Sequence, residues 1–176
     1  MLSLLDMIAT YDTDKESYHR YISGVYEKLF APWRTSSLKL LEIGVAGGES
    51  LRLLSDAFPF SEIHGVDIKE PPAHVMEYPH FTVHVGDAYD YKFNRTLPGP
   101  FDIIIDDGPH TFDSQKYVLE HYWDFLNPGG LLIIEDVPSR NVANRLADWC
   151  FPDMLVDLTL LHPGLADDSR IMVWRK

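Results

Sequence analysis

The chain has 176 residues, one cysteine and a formal charge of −12 from 15 basic and 27 acidic side chains. With 45% hydrophobic and 24% charged residues it has the composition of one globular domain with a real core, not of a disordered or fibrous chain. The acidic balance argues against a nucleic-acid partner, and no apolar run approaches the ~20 residues of a membrane span, so neither nucleic acid nor membrane is expected as a partner.

Residues 1–35 are expected to form a helical cap, because Tyr18, Ile22, Val25 and Leu29 recur at helix spacing and Pro32 stops the run. Tyr18, Ile22 and Val25 are read as core residues. Asp6 near the start, without a basic stretch, speaks against a secretory signal. From residue 36 to 176 the pattern changes to short apolar runs alternating with helical stripes. Residues 38–43 form a first strand, followed by Gly44-Val45-Ala46-Gly47-Gly48 and a helix carrying Leu51, Leu54, Ala57 and Phe58. Further strands are expected at 63–68, ending on Asp67, and at 81–85, followed by Gly86-Asp87. The run 101–105 is almost wholly apolar, as suits a central parallel strand, and ends on Asp106-Asp107-Gly108. A helix with Val118, Leu119, Tyr122, Phe125 and Leu126 on its buried stripe should stop at Asn127-Pro128-Gly129-Gly130. The fifth strand, 131–134, ends on Glu135-Asp136. A shorter helix with Val142, Leu146 and Trp149 follows, and residues 154–161 and 171–174 are expected to pair antiparallel across Pro163-Gly164. Cys150 has no intrachain partner and reads as a small buried hydrophobe, which suits a cytoplasmic location.

Strands alternating with helices give a single α/β domain: a Rossmann-like, doubly wound sheet, mostly parallel, with a C-terminal antiparallel hairpin. Ligands of such sheets bind outside the carboxyl ends of the strands, where this sequence gathers Glu42, Asp67, Asp87, Asp106, Asp107, Glu135 and Asp136. The turn from Gly44 to Gly48 lets the backbone approach a ligand, and the helix behind it offers free N–H groups. A pyrophosphate would meet Ala46 in place of the middle glycine and the carboxylate of Glu42 beside it. The positive amino-acid end or sulfonium of S-adenosylmethionine suits that carboxylate better. Asp67, ~20 residues further on, is placed for ribose hydroxyls, with Ile68 beside it and Asp87 near the adenine amino group.

The ordered set Glu42-Ile43-Gly44 to Gly48, Val66-Asp67, Gly86-Asp87 and Asn127-Pro128-Gly129-Gly130 resembles the class I S-adenosylmethionine-dependent methyltransferases over residues 38–176. That resemblance implies a seven-stranded sheet with a terminal antiparallel hairpin. It adds Gly44, Ala46, Gly47, Gly48, Asp67, Ile68, Asp87 and Asp106, with Glu42, to an expected cofactor set.

Asp106-Asp107-Gly108-Pro109-His110 and Glu135-Asp136 follow strands four and five and should reach one cleft. Carboxylates so close repel, a divalent cation relieves the repulsion, and oxygen ligands suit Mg²⁺. Such an ion acidifies a bound hydroxyl, and His110 is placed to take its proton. The arrangement is similar to the metal-dependent macrolide sugar O-methyltransferases of macrocin and mycinamicin type and to the cephalosporin hydroxylase-like group. The resemblance implies Asp107, Glu135 and Asp136 as metal ligands and His110, with Asp107, as catalytic. Tyr11-Asp12-Thr13-Asp14-Lys15, His19, Tyr21 and Tyr26-Glu27 also look like a segment preceding the catalytic domain of related sugar methyltransferases, which implies Lys15, His19 and Tyr21 over the substrate. Pro109 departs from the small polar residue usual there. The expected acceptor is a hydroxyl of a sugar or glycosylated small metabolite, and a homo-oligomer is compatible with this reading. The competing readings are an NAD-dependent oxidoreductase, disfavoured by the glycine spacing and Glu42, and a non-catalytic S-adenosylmethionine-binding module.

Overall fold

In a computed structural model that describes residues 2–176, every expected apolar run becomes a strand; Met1, where the expected cap begins, lies outside the described residues. The strands are β1 (Lys39–Ile43), β2 (Glu62–Asp67), β3 (Thr82–Val85), β4 (Phe101–Asp106), β5 (Leu126–Ile134), β6 (Met154–Asp157) and β7 (Arg170–Arg175). They form one sheet in the order β3-β2-β1-β4-β5-β7-β6. Neighbours from β3 to β5 run parallel, whereas β7 is antiparallel to both β5 and β6. The strand order reverses between β1 and β4, which places a crevice at their carboxyl ends.

The two-residue period of the strands divides the core into two layers. On one face Leu40, Ile103, Ile105, Ile133 and Ile171 pack against α1 (Glu49–Ala57) and the N-terminal cap, through Leu51, Leu54, Tyr21, Ile22, Val25, Tyr26 and Phe30. On the other, Leu41, Ile43, Ile104, Leu132, Ile134 and Trp174 meet α2 (Phe112–His121) and α3 (Arg140–Trp149), through Val118, Leu119, Tyr122, Ala143 and Leu146. Because both faces of the central strands are covered, alternation with polar residues disappears and β4 reads as a continuous apolar run. Each fully buried aliphatic side chain there contributes about 1.5–3 kcal/mol. No helix among the described residues is long and apolar enough to cross a membrane.

Several expectations are corrected. The cap is not one helix but short pieces, at Leu4–Met7, Ile8–Thr10, Asp14–Ser17, Ile22–Tyr26 and Glu27–Phe30. Arg20, at φ 60°, adopts a left-handed conformation that breaks the run, so Tyr18 turns outward while Ile22 and Val25 stay buried. α2 ends at His121, and Phe125 and Leu126 lie beyond it, because β5 starts at Leu126 and carries Asn127-Pro128-Gly129-Gly130 within it. The cost is a register irregularity opposite Phe101 to Ile103. β6 ends at Asp157 and a 3-10 turn, Leu158–Leu160, replaces its expected continuation. Cys150 is half-buried rather than enclosed, since Trp149 and Phe151 beside it face outward. The Trp149 ring lies under the Lys116 ammonium, 4.1 Å from its centroid.

Candidate active site

The turn after β1 is bound on both sides by backbone. The Gly44 N–H donates to the Val66 carbonyl at 2.8 Å, and the Asp107 N–H donates to the Ile43 carbonyl at 2.8 Å. Gly44 has φ 93°, and a Cβ there would stand 2.0 Å from the Asp107 carbonyl oxygen, so only glycine lets the two strand ends touch. Ala46, at φ 46°, holds a left-handed conformation where glycine would be unstrained. Asp67 braces the turn: one carboxylate oxygen accepts the Val45 and Ala46 N–H groups, each at 3.0 Å, and the other accepts the Lys69 N–H at 2.9 Å. Burial raises its pKa, but these three donors outweigh burial and hold it below the usual value.

Beside this turn lies a cavity of about 840 Å³. Gly44, Ala46, Gly47, Gly48, Asp67, Ile68 and Asp87 line one part of it. Ile68 is two-thirds exposed there, an apolar side chain on a ligand-sized wall. Asp107, His110 and Asp136 line another part, and Asp12, Thr13, Asp14, Ser17 and Tyr18 close it from the cap.

Two residues expected at the cofactor lie behind this wall. Glu42 shares the face of Leu40 and points beneath the cap, fully buried, where it accepts the Ser50 hydroxyl at 2.6 Å. Burial pushes its pKa up to about 7 against the pull of Lys15. Asp106 shares the opposite face with Ile104, accepts the Tyr89 hydroxyl at 2.8 Å, and burial lifts it to about 6. Strand alternation turns each carboxylate away from the cavity.

The same alternation gathers Glu42, Asp107 and Glu135, from the ends of three adjacent strands, under the cap. There they meet Lys15. Its ammonium lies 2.7 Å from Asp107 Oδ2 and 3.4 Å from Glu42 Oε1, and it donates to Glu135 Oε2. Burial alone would lower the Lys15 pKa, but the three carboxylates hold it well above the ordinary value. The Tyr26 hydroxyl donates to the other oxygen of Glu135. Tyr21 donates to Asp136 Oδ1 at 2.6 Å and accepts the Asp136 N–H at 3.1 Å. Gln115 donates its amide to the Glu135 carbonyl at 3.0 Å.

Lys15, His19 and Tyr21, expected over the substrate, are all buried next to the acids, and none lines the cavity. His19 Nδ1 lies 3.0 Å from the Ser169 hydroxyl and 3.3 Å from Asp136 Oδ1. Tyr26, Ser169, Tyr89 and Gln115 are absent from the sequence-derived site. Tyr26 was visible in the cap segment as a spaced tyrosine, whereas nothing local marks the other three.

At the front, Asp136 (φ 49°) and His110 (φ 55°) both hold left-handed conformations. Such outliers cost of order 1–3 kcal/mol each and persist where surrounding structure enforces them. They bring His110 Nε2 to 3.6 Å from Asp136 Oδ2 and 3.8 Å from Asp107 Oδ1. Asp107, His110 and Asp136 each offer one ligand atom, all within 4.8 Å of one another, a spacing that one cation could bridge at the cavity wall. Of the expected ligand trio, Glu135 is not in this group, because Lys15 and Tyr26 hold it from behind.

Residues 41–137 match the model of a family described as a methyltransferase domain. The chain is 33% identical over 144 residues to the mycinamicin VI 2''-O-methyltransferase of Micromonospora griseorubida, covering 76% of this chain and 36% of that protein. It is 33% identical over 186 residues to the demethylmacrocin O-methyltransferase of Streptomyces fradiae, covering 94% of this chain and 46% of that one. A solved mycinamicin-pathway methyltransferase, in complex with Mg, S-adenosylhomocysteine and mycinamicin VI, superposes with a TM-score of 0.69 at 32% identity, over 77% of this chain and 37% of its own. The chain thus spans between a third and a half of the length of these relatives.

Proposed function

We propose that this chain, which belongs to the methyltransferase domain family, moves the methyl group of S-adenosylmethionine to a hydroxyl of a sugar or glycosylated small molecule. One observation carries the reading: a single cavity joins the glycine turn and Asp67 to the cluster of Asp107, His110 and Asp136. In this reading S-adenosylmethionine supplies the electrophilic methyl group, and a divalent cation such as Mg²⁺ supplies positive charge beside the acceptor oxygen.

The chain's own residues do the rest. Gly44 to Gly48 admit the cofactor close to the backbone. Asp67 accepts a ribose hydroxyl with the one lone pair its three backbone donors leave free. Ile68 covers the adenine ring and Asp87 meets its amino group. Asp107 and Asp136 hold the cation, since hard cations take carboxylate oxygens. His110 Nε2 accepts the hydroxyl proton as the oxygen attacks, and the two carboxylates near it stabilise the imidazolium that forms. Asp12, Thr13, Asp14 and Ser17 offer hydrogen-bonding groups to a polyhydroxylated acceptor, and the exposed ring of Tyr18 offers an apolar face to a sugar. The relatives named for O-methylation of mycinamicin VI and demethylmacrocin support a glycosylated acceptor.

The test is methyl transfer to such an acceptor by His110→Ala. A positioned base is worth ~10²–10⁴-fold in rate, so transfer should fall by that much while S-adenosylhomocysteine affinity stays within about twofold. EDTA should silence the wild type. Full rate in His110→Ala would remove the base, and full rate in EDTA would remove the cation.

A further inference from the structure

Among the described residues, Lys15 is the one lysine or arginine buried among the acids of the site, and the roles of base, cation ligand and cofactor wall leave it unused. Its ammonium sits among Glu42, Asp107 and Glu135, from the ends of β1, β4 and β5. Asp107 also belongs to the cation-sized cluster at the cavity wall, and Glu135 is the third acid that the family resemblance implies as a ligand. We infer that Lys15 is a built-in counter-ion that exchanges with the divalent cation: the ammonium compensates the acids when no ion is bound, and cation loading draws Asp107 and Glu135 away from it.

Three features support this. The ammonium is nearly inaccessible to water, and its three neighbours are carboxylates, so removing it leaves uncompensated buried charge. Asp107 belongs to both groups at once: its Oδ2 is bound to Lys15, and its Oδ1 faces His110 in the cation-sized cluster. Finally, Glu42 Oε2 is buried without a hydrogen-bond partner, so the acids outnumber the donors that satisfy them. Lys15 lies in the turn Asp14–Ser17, whose Asp14 and Ser17 line the cavity, so the exchange couples ion loading to the cap that faces the acceptor.

The inference rests on the cation part of the proposed function and makes Lys15 a positioning residue. Its test uses the full chain with Mn²⁺ as probe, read by thermal unfolding and by electron paramagnetic resonance of free Mn²⁺. In EDTA, Lys15→Met should melt on the order of 10 °C below wild type, because a buried ion pair has lost one partner. Millimolar Mn²⁺ should restore most of that loss while moving wild type far less. Without the competing ammonium, Lys15→Met should bind Mn²⁺ roughly tenfold more tightly or better. A melting temperature within about 2 °C of wild type in EDTA overturns the inference, and so does Mn²⁺ affinity no tighter than wild type. Should Lys15→Met fail to fold without Mn²⁺, the pair Lys15→Met with Glu135→Gln removes one charge of each sign and should fold in EDTA. Failure of the pair to fold would mean that Lys15 acts through packing and not charge. Failure of the cation reading itself shows separately, as wild-type methyl transfer that survives EDTA.

Discussion

Replacing Tyr21 by Phe removes one oxygen atom from a fully buried position, and the structure says what that atom does. It donates to Asp136 Oδ1 at 2.6 Å and accepts the Asp136 N–H at 3.1 Å, so it fixes both the side chain and the strained backbone of one residue. A hydrogen bond to a charged group contributes about 1.5–3 kcal/mol, and a buried N–H left without a partner costs about 1–3 kcal/mol. Asp136 also has His19 nearby and borders the cavity, so part of the loss is recovered by His19 and water. The net expectation is about 2–4 kcal/mol, or a fall of roughly 4–16 °C in melting temperature for a chain of this size. The assay is thermal unfolding of Tyr21→Phe, Asp136→Ala and the double variant, followed by circular dichroism. If the oxygen acts through the Asp136 carboxylate, Tyr21→Phe should cost at least about 1 kcal/mol less when Asp136 is already alanine. A drop of under 2 °C, or the same drop in both backgrounds, would refute the assignment of Tyr21 as the support of Asp136.

Other perturbations separate the remaining parts. S-adenosylhomocysteine should raise the wild-type melting temperature, by the equivalent of about 2.7 kcal/mol at a hundredfold excess over its dissociation constant, and should barely move Asp67→Ala. An equal shift in both would place the ribose elsewhere. Gly44→Ala should cost at least about 2 kcal/mol in denaturant unfolding, since its Cβ would meet the Asp107 carbonyl at a left-handed φ. Gly47→Ala, whose Cβ meets nothing within 4 Å, should stay within about 0.5 kcal/mol, and equal effects would dismiss the strand-end contact. Burial raises Asp106 from 3.8 to about 6, so the folded state binds more protons than the unfolded one between those values. Its contribution to stability is therefore complete below pH 4 and lost as pH rises to 6, and Asp106→Asn should flatten the fall in melting temperature over that window.

The sheet was legible because the apolar runs carry their own punctuation. The run around Ile104 and Ile105 could be nothing but a covered central strand, and Gly44 to Gly48 could only be a tight turn into a helix. The cap was misread for a physical reason. Tyr18, Ile22, Val25 and Leu29 do share a helical period, but Arg20 breaks the chain between the first and second of them, and a left-handed arginine has no local signature. The start of β5 was hidden in the same way, because Asn127-Pro128-Gly129-Gly130 is turn chemistry that the sheet edge accepts as an irregular strand.

At the site the residue types were legible and their directions were not, although direction was within reach of the same periodicity. Glu42 lies two residues after Leu40, Asp107 two after Ile105, and Glu135 two after Ile133, and all three hydrophobic residues belong to the layer beneath the cap. Strand alternation therefore sends the three carboxylates to one side, where a protein without a buried cation could not keep them. Lys15 supplies that cation from a segment 27 residues upstream of the first of them, so no spacing rule within the sheet could name it. What remains at the front is what alternation does not govern. Asp136 and His110 reach the cavity through backbone conformations that sequence reasoning does not foresee, and those two departures set Asp136 at the cavity while Glu42 and Glu135 stay behind its wall.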